Sequence, residues 1–278
     1  MLERYVEQQA AVYSALLDKD LKTMTKNLAM LTDDEQRMAE DLIQLLKPLK
    51  TVTTLMSSET SPTTSMILPL KHLILKSMVT EDGDSATIKE AKTAIAQDLE
   101  KRYTDPALTT YLQKATALDP RFKSLPSHNE MSKLQIYQDL IKDILQSQAM
   151  ARPSTEEQHA AYSPPQKRSA MAELFGEVFK TQEQEKPFEA IIEEEVSTYR
   201  SAPSIHVDAN PFIWWKTNKA KFPHVAELAR RHLCVPGTSV ASERIFSTAG
   251  DIVDANRSRL GADNVDKLIF LQKNMKIQ

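Results

Sequence analysis

The chain has a single cysteine, Cys234, among 278 residues. One thiol excludes an internal disulfide and any Cys-x-x-Cys zinc module, and it fits a reducing compartment. Glycine is nearly as scarce, with five in all. No Gly-x-x-x-x-Gly-Lys loop, Gly-x-Gly-x-x-Gly turn or Gly-x-Ser-x-Gly elbow can be read, which argues against nucleotide-binding and acyl-transfer enzymes. An excess of positive charge is missing too. The formal net charge is -3, so any DNA contact has to be local and weak in this chain alone. Nor does any apolar run approach the roughly 18 residues that a membrane helix needs. The opening Met1-Leu-Glu-Arg-Tyr-Val-Glu carries acids instead of a signal-like apolar core. The expectation is a soluble intracellular protein without membrane contact.

What is present favours helix. Hydrophobic residues make up 41% and charged residues 26%, enough apolar surface for a core, and Leu, Ala, Lys, Glu, Gln and Met recur throughout. The expected fold class is all-α, and the length favours two modest domains over one large one. From Leu2 to Leu17, Tyr5, Val6, Ala10, Tyr13, Leu16 and Leu17 fall at helical spacings. Thr32-Asp-Asp-Glu35 has the form of a capping box heading a long helix through Leu42, Leu45, Leu49 and Val52, which Pro48 is expected to kink or divide. Ser61-Pro62 starts another helix, through Met66, Leu70 and Ile74, and the polar turn Glu81–Asp84 ends it. Thr87-Ile-Lys-Glu90 reads as a second capping box, Asp105-Pro106 as a restart with proline at the first helical position, and Leu134–Leu145 as a further apolar stripe.

This pattern divides the chain into a helical bundle over 1–145, a linker with a short helix (Met171 to Phe179) over 146–185, and a helical carboxy-terminal module over 186–278. In the linker, Lys167-Arg168 is too small a pair for a basic address signal, and a solvated loop is the plainer reading.

Candidate chemistry is sparse. The six histidines do not cluster, and His232 with Cys234 is too close a pair to hold zinc without two further ligands, so no metal site is expected and Cys234 is assigned to the core. Glu193, Glu194 and Glu195 are consecutive and point in different directions on a helix, which suits a solvated face better than a cation site. No cofactor is implied, and the chain is not expected to be an enzyme by itself.

The terminal segment is more telling. Asn210-Pro-Phe-Ile-Trp-Trp215 opens a helix on which Trp214 and Trp215 face different sides, so both can bury only if the helix is covered on more than one face. Lys216, Lys219 and Lys221 follow along it, and Phe222-Pro223 closes it before a helix to Leu233. Ser239 is placed to cap a helix from Val240 to Thr248, which Gly250 is expected to end. Asn256-Arg-Ser-Arg259 forms a basic turn. On the last helix, Ala262 to Met275, the residues Val265, Leu268, Ile269, Phe270, Leu271 and Met275 cover more than half the circumference, so burial against its own domain and against another chain is expected.

Four runs here, Asn-Pro-Phe-Ile-Trp-Trp, Cys-Val-Pro-Gly-Thr-Ser-Val-Ala-Ser-Glu-Arg-Ile-Phe-Ser-Thr-Ala-Gly, Asn-Arg-Ser-Arg-Leu, and Val-Asp-Lys-Leu-Ile-Phe-Leu-Gln-Lys-Asn, resemble the carboxy-terminal dimerisation region of hAT-superfamily transposases. The earlier Ala115-Thr-Ala-Leu-Asp-Pro-Arg-Phe-Lys123 resembles a recurrent piece of the helical region before that module in BED-type zinc-finger relatives. The resemblance implies a nuclear protein that forms homodimers, or heterodimers with related transposase-derived proteins. It implies dimerisation and packing roles for Trp214, Trp215, Ile245, Phe246, Val265, Leu268, Ile269 and Leu271, and candidate nucleic-acid contacts at Lys216, Lys219, Arg257 and Arg259. In the family, two aspartates and one glutamate hold two divalent metals in a ribonuclease-H-like core. The glutamate falls on Glu243. The aspartates and the BED finger are expected upstream of this sequence, which leaves Glu243 vestigial or structural, pairing with Arg244, Arg257 or Arg259. The sheet is expected to be incomplete here, with at most one short strand near Leu233 to Val235.

Overall fold

The computed structural model describes residues 1–17, 31–151, 186–253 and 260–275. The expected helix over Met171 to Phe179, the Lys167-Arg168 pair, and the basic turn with Arg257 and Arg259 lie outside the described residues.

The fold is all-α. Among the described residues there are eleven α-helices, one 3-10 turn over Thr64–Met66 and no strand. In chain order they are α1 (Leu2–Leu17), α2 (Asp33–Met56), α3 (Ile67–Ser77), α4 (Ala86–Lys101), α5 (Pro106–Ala117), α6 (Glu130–Ala151), α7 (Phe188–Ser201), α8 (Pro211–Asn218), α9 (Pro223–Leu233), α10 (Val240–Ile252) and α11 (Ala262–Asn274). They fall into two compact units. One comprises 1–116 with 233–278, and the other 117–232.

In the first unit, α2, α3 and α4 pack on one another around Leu45, Ile74, Met78 and Ile88, with Leu42, Leu49, Val52, Ile95 and Leu99 around them. The capping box at Thr32 is formed: the Glu35 amide donates to the Thr32 hydroxyl at 3.3 Å, and the Glu35 carboxylate accepts from the Thr32 amide at 2.8 Å. Three expectations need correction. Ser61-Pro62 does not start the helix, which begins at Ile67 after the 3-10 turn Thr64–Met66. Pro48 does not divide α2, because Leu45 before it and Leu49 and Val52 after it are held by the same cluster, which outweighs one lost backbone hydrogen bond. The cap of α4 is Ser85 and not Thr87: the Ser85 hydroxyl accepts from the Ile88 amide at 3.3 Å, while Thr87 lies exposed in the first turn.

The turn 235–238, which leads into α10, is fastened to the start of the 3-10 turn. Thr64 Oγ1 donates to the Val235 carbonyl, the Gly237 amide donates to Thr63 Oγ1 at 2.8 Å, and Thr238 Oγ1 donates to the Met56 carbonyl at 3.3 Å. A Cβ on Gly237 would stand 3.1 Å from the backbone of both Thr63 and Thr64, so any larger residue would have to push that backbone back by a few tenths of an ångström. Val235 therefore contributes its carbonyl to a side-chain hydrogen bond in the place where a short strand could have been expected.

In the second unit, α6 and α7 pack together, and Ile136, Tyr137, Leu140, Ile144, Ile192, Val196, Phe222, Val225 and Leu228 are all buried. The segment 117–123 fixes them in place. Its Ala117 carbonyl accepts from the Tyr199 hydroxyl at 3.0 Å and its Leu118 carbonyl from Trp215 Nε1 at 3.0 Å. Its Pro120 carbonyl accepts from the Ile205 amide at 3.1 Å. Asp119 and Arg121 form a buried two-pronged ion pair at 3.0 and 2.7 Å. Lys123, buried to 2% exposure, donates from Nζ to the carbonyls of Tyr199 at 2.6 Å and Ala202, closing the carboxy-terminal end of α7.

Candidate association surface

The two tryptophans belong to the second unit. Asn210 caps α8, its Oδ1 accepting from the Phe212 amide at 2.8 Å, and Pro211 takes the first helical position. Trp215 is buried against Tyr199, ring centroids 5.2 Å apart. Trp214 meets Trp215 edge-on at 4.8 Å and stacks on Phe222 at 6.0 Å. Both indoles thus find cover within the unit, while Phe212 and Ile213 of the same helix stay exposed. Lys216, Lys219 and Lys221 all stay exposed.

Glu195 departs from the solvated-face reading of the acidic run. Its side chain is only 7% exposed, and Oε1 accepts from the amides of His224 at 2.9 Å and Val225 at 2.8 Å, at the start of α9. A carboxylate there meets unpaired amides and the positive end of the helix dipole. His224 Nδ1 lies 2.8 Å from Oε2, and the Phe188 ring packs edge-on against the imidazole. No sequence signal links Glu195 to residues 29 and 30 positions later. His232 Nδ1 lies 3.0 Å from the Leu228 carbonyl, and Cys234 is exposed, so its assignment to the core is corrected. A residue just past the end of α9 is turned outwards by the turn that follows. Among the described residues, no three metal-ligating side chains converge.

In the first unit, the Glu243 carboxylate is exposed in the first turn of α10 and accepts from the Ser239 hydroxyl at 2.5 Å. Ser239 occupies the cap position without capping an amide, because its hydroxyl is directed to Glu243; Thr238 Oγ1 accepts from the Val240 amide at 3.4 Å instead. Arg244 pairs with Glu59 at 2.8 Å and not with Glu243. That hydrogen bond, followed by the charge of Lys273, holds the Glu59 carboxyl below its usual range. Glu59 thus ties α10 and α11 electrostatically to the end of the bundle.

The apolar residues of α10 and α11 are the outstanding feature of this unit. The helices pack on each other, yet α11 has no fully buried residue, contrary to the expectation that its own domain would bury it. Val265 and Ile269 are half-buried, while Leu268, Phe270, Leu271 and Met275 are exposed, Phe270 to 65%. On α10, Ile245 is exposed and Phe246 is exposed to 75%, as is Val253 just past the helix end. The correction has a plain cause: α10 and α11 form a pair with one covered face, and a helix with apolar residues on more than half its circumference cannot bury them all against a single neighbour.

Residues 195–275 match the family model of the hAT family C-terminal dimerisation region. Over its whole length the chain is 26% identical to zinc finger BED domain-containing protein 4 of Homo sapiens. Over 85% of its length it is 25% identical to the putative AC transposase of Zea mays, and over 90% it is 22% identical to zinc finger protein 618 of Mus musculus. The chain spans 23%, 30% and 25% of those three proteins, respectively.

Proposed function

We propose that the chain acts as a protein association module of a transposase-derived nuclear protein, joining two copies of itself or one copy to a related protein. The segment meant is 186–278, held by the helical bundle over 1–145. The observation that carries this reading is the match of 195–275 to a dimerisation region in a chain whose helices α10 and α11 leave Phe246, Leu268, Phe270 and Leu271 exposed. Large apolar side chains exposed together on one pair of packed helices are what an interaction site offers. Ile245, Val265 and Ile269 complete the apolar sides of the pair, while Trp214 and Trp215 act by keeping α8 in place. No catalytic step is assigned to Glu243, which stands as one carboxylate without converging partners among the described residues.

Sedimentation equilibrium at micromolar concentration tests the reading. A dimer mass is expected, and Leu271→Asp is expected to weaken association about tenfold or more, since a buried charge at an interface centre is poorly tolerated. A clean monomer, unchanged by addition of a full-length relative, would remove the basis of the proposal.

A second reading, contact with DNA, is favoured by Lys216 and Lys219. Lys216 in the last turn of α8 and Lys219 just past its end stand exposed near Lys221 in sequence, as side chains that contact phosphates must. Salt-dependent retardation of duplex DNA, lost in Lys216→Glu/Lys219→Glu, is the expected outcome if this holds. Absence of retardation at low salt would discard it.

A further inference from the structure

Pro48 leaves a gap in α2. It has no amide to donate to the Gln44 carbonyl one turn earlier, and its ring stands where that hydrogen bond would run. Gln44 and Pro48 both line a cleft of about 190 Å³ in the first unit, bounded by α2, the last residue of α3, the turn before α4 and the first half of α4. The gap in the helix therefore lies on the wall of a cavity. Leu45 and Ile88, both buried, form its floor.

Lys92 is the one cation among the residues that line this cleft, and it is already engaged. Its Nζ donates to Asp84 Oδ2 at 2.6 Å and to the Val79 carbonyl at 3.3 Å. The same Asp84 oxygen accepts from the Glu81 amide at 2.8 Å. What remains on the walls is a set of acceptors. Asp84 keeps its other carboxylate oxygen, the Ser77 hydroxyl donates its proton to the Ile74 carbonyl at 2.7 Å, and Asp41 forms no ion pair among the described residues. Two carboxylates beside one ammonium also leave one negative charge uncompensated next to apolar surface, where charge is less screened than in water.

We propose that this cleft holds one organic cation, an ammonium or guanidinium group on a short aliphatic stem. Such groups are donors without acceptors, so they match an oxygen-rich wall, and their hydrogen bonds to carboxylates are about twice as strong as neutral ones. The cation's N–H groups reach the Gln44 carbonyl and the Asp41 and Asp84 carboxylates, while the stem lies along Leu45 and Ile88. A metal ion suits the cleft less well, because among the described residues no three metal-ligating side chains converge. A helix, about 10 Å across, cannot enter a space of this volume, so the stem belongs to a free amine or to a single lysine or arginine side chain of a polypeptide. Pro48, by itself a cost to the helix, thereby gains a role: it keeps one backbone acceptor open.

Methyl spectra of the full chain, with leucine and isoleucine labelled, test this. Butylammonium, or a blocked tripeptide with a central arginine, is expected to shift the Leu45 and Ile88 methyls saturably at millimolar concentration, whereas 1-butanol at matched ionic strength leaves them unmoved. The probe that saturates at the lower concentration names the source, free amine or polypeptide side chain. Asp41→Asn and Pro48→Ala are each expected to raise the dissociation constant of that probe about tenfold or more. Both variants are expected to fold, since Asp41 is exposed and alanine at position 48 supplies the missing amide. Pro48→Ala is the sharper test, because it weakens binding while completing the helix, which the loss of a merely structural proline would not do. Failure of both probes to saturate, equal shifts with 1-butanol, or an unchanged dissociation constant in Pro48→Ala would overturn the proposal.

Discussion

Lys123 shows how much one residue can hold in this protein. Its ammonium sits at the carboxy-terminal end of α7 on the Tyr199 and Ala202 carbonyls, and the Tyr137 hydroxyl donates to the Lys123 carbonyl at 2.6 Å. Lys123→Ala orphans those carbonyls and opens a cavity, so a loss of about 2–4 kcal/mol is expected in urea titrations. Burial lowers the Lys123 pKa from 10.5 to about 8. The folded state then sheds this proton before the unfolded state does, so the Lys123 contribution makes stability rise from about pH 8 to 10.5. Burial has the opposite consequence for Tyr199, and for Tyr137, by raising both phenols above 10.0. Each favours the folded state while protonated, and that contribution is lost as pH climbs past 10.0 towards the folded value. Melting temperature is thus expected to climb slightly above pH 8 and to fall beyond 10, with the climb absent in Lys123→Met. A monotonic fall from pH 7 in the wild type would contradict this assignment.

At the scale of single elements, two of the corrected helix signals give opposing predictions. Ser85→Ala should cost about 1 kcal/mol through the lost cap, whereas Thr87→Ala should lie within about 0.5 kcal/mol of wild type, as for an exposed first-turn residue. Equal costs would place the cap wrongly. Pro48 is half-buried inside a continuous α2, with a missing amide hydrogen. Pro48→Ala is therefore expected to stabilise the chain, by up to about 3 kcal/mol in chemical denaturation. Destabilisation would mean that the ring's packing outweighs the backbone it disrupts. Tertiary burial overrode a local rule at Pro48, and at Gly250 a helix stop signal was overridden in turn, since α10 continues to Ile252. The correctly read signals, the cap at Thr32 and the prolines at 106 and 211, all concern the residues that open a helix, which local sequence sets.

For the whole molecule, the decisive fact is that the matched segment draws its partners from distant parts of the chain. The turn before α10 is fastened to Thr63, Thr64 and Met56, and Trp215 and Tyr199 to Leu118 and Ala117. The isolated fragment 186–278 is accordingly expected to lack a cooperative melt and dispersed amide resonances, while the full chain has both. A fragment that melts cooperatively would show these fastenings to be dispensable. Gly237→Val, which places side-chain atoms against the Thr63 and Thr64 backbone, should likewise loosen α10 and α11, read as faster proteolysis around 235–239.

The sequence by itself determined the all-α class, the starts of most helices and the likeness of the terminal segment to a dimerisation region. Apolar period, caps and family motifs are local properties that survive without any knowledge of packing. Only the tertiary structure decided that Lys123 and Glu195 are buried, that both indoles are used internally, and that Phe246 stands in the open. An apolar period says which face of a helix seeks cover. What covers it depends on residues tens to more than a hundred positions away, and here part of that face finds no cover within the described residues of the chain.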